Sequence, residues 1–180
     1  MNRKTLLILA ALVAVLLFRS IQTEAQGAPY DGLTLLGVGH HFVDEGDATL
    51  DLMGFNTKYK EDVVGMYFAS GGRSVHFYMN AAVWDKLKKQ LIQSRDAWQT
   101  LDARSFEGAG SVQGYTIAGK RATLRLGMQG ATALQPKQLL LIASSSAAPD
   151  QQIVISLLGD QVTDLVNDFQ KIDELLQATR

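Results

Sequence analysis

Residues 48–52 read ATLDL, and residues 122–126 read ATLRL. The two stretches lie 74 residues apart, and the chain around them runs in parallel. At the same offset GMYFAS (Gly65–Ser70) falls on LLLIAS (Leu139–Ser144). Four extra residues in SSSAAPDQQ move the offset to 78, and VHFYM (Val75–Met79) then falls on IVISL (Ile153–Leu157). Trp84, Leu87 and Leu91 fall on Val162, Leu165 and Phe169. The identities are few. The order of elements and the nearly constant offset predict an internal repeat, one copy over about 33–102 and the other over about 108–180.

Each copy reads as four strands and a helix. β-branched and aromatic runs separated by turn-rich gaps predict strands near Leu33–Val43, Asp47–Met53, Val63–Ala69 and Ser74–Met79. The same signals predict Ser111–Ile117, Arg121–Met128, Gln138–Ser144 and Ile153–Leu158. SGGR (Ser70–Arg73) suits a hairpin, because glycine takes positive φ at little cost. Asn80 is placed to cap a helix whose apolar stripe is Trp84, Leu87, Leu91, Trp98 and Leu101, with Ser94 filling the missing step. After Gly159, Asp160 is placed to cap a final helix with a stripe of Val162, Leu165, Phe169, Ile172 and Leu176. The predicted fold is α+β: an antiparallel sheet built from two ββββα repeats, with both helices packed on one face. The first helix carries Lys86, Lys88, Lys89 and Arg95; the last carries Asp160, Asp164, Asp168, Asp173 and Glu174, so neighbours of opposite sign are expected.

Residues 1–25 read as a signal peptide. Arg3 and Lys4 precede an unbroken apolar run of 13 residues, Leu6–Phe18. A membrane span needs about 20 apolar residues, whereas a secretory signal needs fewer. TEA (Thr23–Ala25) suits cleavage after Ala25, leaving Gln26–Arg180 as a single domain, periplasmic or secreted, with no stable membrane insertion. Retention of the segment as an anchor is the competing reading. Removing residues 1–25 takes the formal charge from −1 to −3, which argues against nucleic acid as a partner. With no cysteine, disulfides, thiolate metal sites and cysteine nucleophiles are excluded.

Two places could carry function. GHHFVDEGD (Gly39–Asp47) packs two histidines and three carboxylates into nine residues. In the repeat it lies opposite Gln113–Arg121, which holds neither histidine nor carboxylate, so the fold does not require the cluster. Neighbouring strand residues face opposite ways, so His40 and His41 cannot share a metal on a regular strand. The preferred reading is a polar hairpin tip, cheap to remove. The alternative is a metal-dependent protein or enzyme in which His40 or His41, with Asp44, Glu45 or Asp47, holds zinc or manganese. The second place is a surface. Val75, Phe77 and Met79 should face the helices, leaving Tyr67, His76 and Tyr78 on the opposite sheet face, where amphipathic rings suit binding. SGGRS lacks the lysine and spacing of a phosphate-binding loop, and ASSSAAPD (Ala143–Asp150) reads as a loop with no nucleophile elbow. No catalytic residue and no cofactor is nominated. The expected function is a non-enzymatic binding or interaction module. Its partner is another protein or a second copy, self-associating through the open sheet face.

Overall fold

Eight strands follow one another across a single antiparallel sheet in the order the chain makes them. The computed structural model describes residues 32–43, 47–97, 106–116 and 118–178. The strands are β1 (Thr34–Val43), β2 (Thr49–Asn56), β3 (Asp62–Ser70), β4 (Arg73–Asn80), β5 (Phe106–Tyr115), β6 (Arg121–Gln129), β7 (Gln138–Ser145) and β8 (Ala148–Leu157). Helix α1 (Ala81–Ala97) follows β4; α2 (Gly159–Asn167) and α3 (Phe169–Gln177) follow β8. Strand–strand–strand–strand–helix is thus traversed twice. Trp98 and Leu101 lie outside the described residues.

Alternation places the core. Leu50 and Leu52 of β2, Met66 and Phe68 of β3, and Phe77 and Met79 of β4 point to one face and are buried. Leu124 of β6, Leu139 and Leu141 of β7, and Ile153 and Ile155 of β8 continue that face. Trp84, Leu87 and Leu91 of α1, Val162 and Leu165 of α2, and Phe169 and Ile172 of α3 belong to the same cluster. One cluster holding the stripes of all three helices puts every helix on one face of the sheet. The sheet is coiled around this core: β3 approaches β8 and β4 approaches β7, though neither pair is adjacent in the sheet.

The helices cross between halves. α1 packs on β5 and also on β3 and β4 of its own half, while α3 packs on β1 and β2. Among the described residues the sheet is joined between β4 and β5 only at Tyr78 opposite Tyr115, so packing contributes more than the hydrogen-bond ladder to holding the halves together there. The expected charge contrast becomes a contact. Lys88 Nζ of α1 reaches both carboxylate oxygens of Asp173 in α3, at 3.0 and 2.8 Å. Trp84 Nε1 donates to the same carboxylate at 2.9 Å, and the Trp84 ring meets Phe169 edge-on with centroids 5.0 Å apart.

Several sequence expectations need correction. The final helix is not continuous: it bends at Asp168, which ends α2 and begins α3. The bend lets α3 follow β1, where close approach demands a missing side chain. A Cβ on Gly39 would lie 2.6 Å from Ile172 Cδ1. Asp160 is not the cap of α2. That position is Leu158, whose N–H donates to Gln161 Oε1 at 2.7 Å, while Asp160 accepts from Gln161 N in the first turn. Asn80 does cap α1, its Oδ1 accepting from Val83 N at 3.0 Å. The stretch expected as a loop, Ala143–Asp150, is mostly strand, and only Ser146 and Ala147 turn the chain between β7 and β8. At the other hairpin, Gly71 and Gly72 take φ of +56° and +74°, as a two-residue turn between twisted strands requires.

Strand pairing also corrects the offset. Phe68 pairs with Leu50, and Ala143 pairs with Leu124, so by face β3 matches β7 at an offset of 75. The offset of 74 would match inward Phe68 with outward Ile142, since a one-residue slip inverts the faces. In β1, His40 pairs with Leu52, as Gly110 of β5 pairs with Leu126. By strand pairing His40 stands in β1 where Gly110 stands in β5, which differs from the expected match of Gly39–Asp47 to Gln113–Arg121.

Candidate functional site

β1 is an edge strand with two register shifts, between Leu35 and Gly37 and between Val38 and His40. After the second shift regular alternation resumes. His40 joins the inner face opposite Leu52, and His41 the outer face opposite Asp51. The two histidines then meet different chemistry.

His40 is 8% exposed. Its Nδ1 donates to Asp168 Oδ2 at 2.9 Å, and Lys171 Nζ holds the other oxygen at 2.7 Å. Burial pushes the Asp168 carboxyl up, but the bonds and charges of Lys171 and His40 outweigh it and hold it below its ordinary value. His40 Nε2 is buried with no hydrogen-bond partner among the described residues. His40 is thus part of the join between β1 and the helix bend. One exposed histidine and one facing the other way is the expected arrangement, but the expectation that replacing both would cost little is opposed at His40 by its burial and its bond to Asp168. His41 is exposed and hydrogen-bonds Asp51 across the β1–β2 pair. Asp47 is exposed at the entry to β2; Asp44 and Glu45 lie outside the described residues. Among the described residues, no three His, Cys, Asp or Glu side chains group to hold a metal ion.

Tyr67, His76 and Tyr78 do come together on the outer face. Tyr67 pairs with His76 across β3 and β4, rings edge-on with centroids 4.6 Å apart. His76 stacks toward Tyr78 at 6.2 Å, and its Nδ1 lies 3.4 Å from the Tyr78 hydroxyl. Burial lowers the His76 imidazole from its ordinary value and raises the Tyr78 phenol. At neutral pH both are uncharged, so this patch offers ring faces and hydrogen bonds rather than charge. The three differ in access: Tyr67 and His76 are half-buried, whereas Tyr78 is 6% exposed. Tyr78 packs with Phe55 and Val63 in a small second cluster, the two rings closing over Gly65. Tyr78 therefore supports the patch from beneath and presents little surface.

The alternation reading did not nominate the most exposed apolar members of this face. Leu35, Val38 and Val43 of β1 are 52, 54 and 49% exposed. All three pair with outward residues of β2, namely Phe55, Met53 and Thr49. The spacing 35, 38, 43 is not a period of two, because the register shifts interrupt it, and that hid the row in the sequence. A shallow depression of about 480 Å³ lies at the β3–β4 end of the face, lined by Asp47, Tyr67, Ala69 and Ser70–Ser74.

The outer face of β5–β8 has another character. Gln113, Arg121, Arg125 and Gln152 are exposed there, with Thr123 and Ile142 half-buried. Arg125 donates to Gln152 Oε1 at 3.1 Å. Among the described residues, no helix is long and apolar enough to cross a membrane. A scan against protein-family models and a search of curated proteins both yielded no match to this chain.

Proposed function

We propose that this chain is an exported, non-enzymatic binding module and that the outer face of β1–β4 is its recognition surface. The observation that carries the reading is the row Leu35, Val38 and Val43, each about half exposed, beside the rings of Tyr67 and His76. Apolar side chains gathered on one face lose water when a partner covers them. Aromatic rings with few torsions bind at little entropic cost, and both Tyr67 and His76 add a polar atom for orientation. Behind the face, the packed inner core and the Phe55–Tyr78 cluster provide a stiff backing.

We further read the two halves as diverged duplicates. Asp168 of α2–α3 lies against His40 of β1, and Gln90 of α1 lies against Gly110 of β5. These paired positions sit at the offset of 78 that relates the helices and at the strand pairing that relates β1 to β5. On this reading the halves share a scaffold, and binding is concentrated on the outer face of the first.

The test is site-specific photocrosslinking in the native host. A photoreactive residue at Val38 should give discrete protein adducts, and one at exposed Asp164 on α2 should give none. Equal labelling from both positions, or no adduct from Val38, would overturn the assignment of this face.

A further inference from the structure

We infer that the depression at the β3–β4 hairpin is a carbohydrate site, taking one ring of a neutral pyranose oligosaccharide. This goes beyond the reading of the outer face as a protein-binding surface. The depression shares Tyr67 with that surface and needs none of the β1 row. Its volume of about 480 Å³ falls within the usual size of a small-molecule site, roughly 300–1,000 Å³. Its lining comes from two pieces of the chain, Asp47 and the run from Tyr67 to Ser74.

Strand pairing places the two charges. Thr49 pairs with Ala69, which sets Asp47, just before β2, level with the hairpin turn. Arg73 pairs with Ser70 at the first step of β4. The carboxylate thus stands on the β2 side of the turn and the guanidinium on the β4 side. Both residues are exposed, and among the described residues neither side chain makes an ion pair or a hydrogen bond. Between them Gly71 and Gly72 turn the chain, and a Cβ on either would meet nothing within 4 Å. The turn backbone is therefore open to an approaching ligand. Tyr67 is braced where it stands, between Asp51 of β2 and His76 of β4, with its ring edge-on to His76. A ring fixed before binding lowers the ordering cost of contact.

Charge then narrows the ligand. An anion drawn to Arg73 is repelled by Asp47, and an organic cation meets the reverse. A neutral ligand rich in hydroxyls suits both. The guanidinium only donates, the carboxylate only accepts, and the hydroxyls of Ser70 and Ser74 do either, while each sugar hydroxyl both donates and accepts. Arginine and carboxylate are both bidentate groups, so each can take two neighbouring hydroxyls at once. A pyranose also has an apolar C–H face, and the Tyr67 ring offers an apolar surface with a polar tip to meet it. A zwitterionic amino acid matches the two charges as well and is the rival that experiment must separate.

The experiment is an NMR titration of the isotope-labelled chain with cellotetraose, maltotetraose and N-acetylated chitotetraose, and with phenylalanine and inorganic phosphate as rivals. At least one saccharide should shift the amides of Asp47 and of Tyr67–Ser74, with a Kd of about millimolar, as suits a shallow site. Asp47→Gly and Arg73→Gln should each weaken that binding by about tenfold or more, as loss of a hydrogen bond to a charged group does. Glycine accepts the φ of +58° at position 47. Tyr67→Ala should abolish binding, and Arg125→Gln, on the outer face of the other half, should leave it unchanged. Amides far from the depression report whether each variant is folded. If no saccharide shifts these amides at millimolar concentration, or if Asp47→Gly and Arg73→Gln bind as the wild type does, the site is overturned. Phenylalanine or phosphate binding there in place of the saccharides overturns its chemistry. Crosslinking from Val38 is a separate result: it can fail while a saccharide binds, and succeed while none does.

Discussion

Gly39→Ala is the sharpest probe of how the last helix meets the first strand. A β-carbon at position 39 would lie 2.6 Å from Ile172 Cδ1, 2.8 Å from Cγ1 and 3.5 Å from the Ile172 backbone nitrogen. Ile172 is 0% exposed, so its side chain has no solvent to retreat into. Overpacking of this kind costs about 1–3 kcal/mol. Against that, alanine is favoured over glycine within a strand by about 0.5–1 kcal/mol, because less backbone entropy is lost. The net expectation is a loss of about 0–2.5 kcal/mol. Ile172→Ala alone should cost about 2–5 kcal/mol by opening a cavity. In that background the added methyl at position 39 no longer clashes, because the atoms it met are gone, and it partly fills the cavity. Gly39→Ala should then be neutral or stabilising, giving a coupling of roughly 1–3 kcal/mol, within the range for residues in contact. Urea unfolding of the wild type, both single variants and the double variant measures it. If Gly39→Ala costs the same in both backgrounds, α3 does not pack on β1 as described, and the argument fails.

Other outcomes follow from the same structure. Leu91→Ala should cost about 2–5 kcal/mol and Phe169→Ala about 3–5 kcal/mol, read by the urea midpoint; both side chains lie in the shared core. Asp168 has a folded-state value below its unfolded one, so it stabilises the fold above the ordinary carboxylate range. That contribution is lost as pH falls through the depressed value. Asp168→Asn should therefore lower stability near neutrality and flatten its decline between about pH 5 and pH 2; an unchanged acid profile counts against the Lys171–Asp168–His40 join. Intact mass of the chain from its native host should begin at Gln26, and a full-length chain in the membrane fraction would contradict export with cleavage. Zinc or manganese should leave the melting temperature of the wild type and of His41→Gln alike; a rise of many degrees in the wild type alone would make His41 a metal ligand.

Much of the scaffold was legible because alternation and the 3.6 period are local signals. Phe77 and Met79 inward, His76 outward, and the stripe Trp84, Leu87, Leu91 could all be read from spacing alone. The bend at Asp168 could not. Asp168, the residue at the bend, bonds a histidine 128 residues earlier in the chain, and nothing within α2 or α3 breaks the apolar period. Asp173 was visible as one of several acidic residues, but that it alone would receive both Lys88 and Trp84 depends on the crossing of α1 and α3. The outer row Leu35, Val38 and Val43 was obscured for a different reason. Register shifts in β1 change which residues share a face, and period-two reading assumes none. Tyr78 was placed on the correct side of the sheet, but its depth was not foreseen, because Phe55 comes from β2 to cover it.

The crossing of the helices between halves has a consequence for the order in which the molecule can be made. β1 is the first strand, and its inner face is covered by α3, the last helix. A chain emerging from the ribosome or an export channel can form β2–β3–β4 and begin to dock α1 on β3 and β4, completing that docking when β5 appears. Its first strand stays uncovered until nearly the whole sequence is out. The contacts that complete β1 are among the most distant in sequence, and closing so long a loop makes their formation slow. Meanwhile the edge of β1 is exposed to other chains. The two register shifts and the glycines of TLLGVGHHFV make that strand a poor template for foreign pairing during the wait, so the irregularities that let α3 approach also protect the strand before α3 arrives.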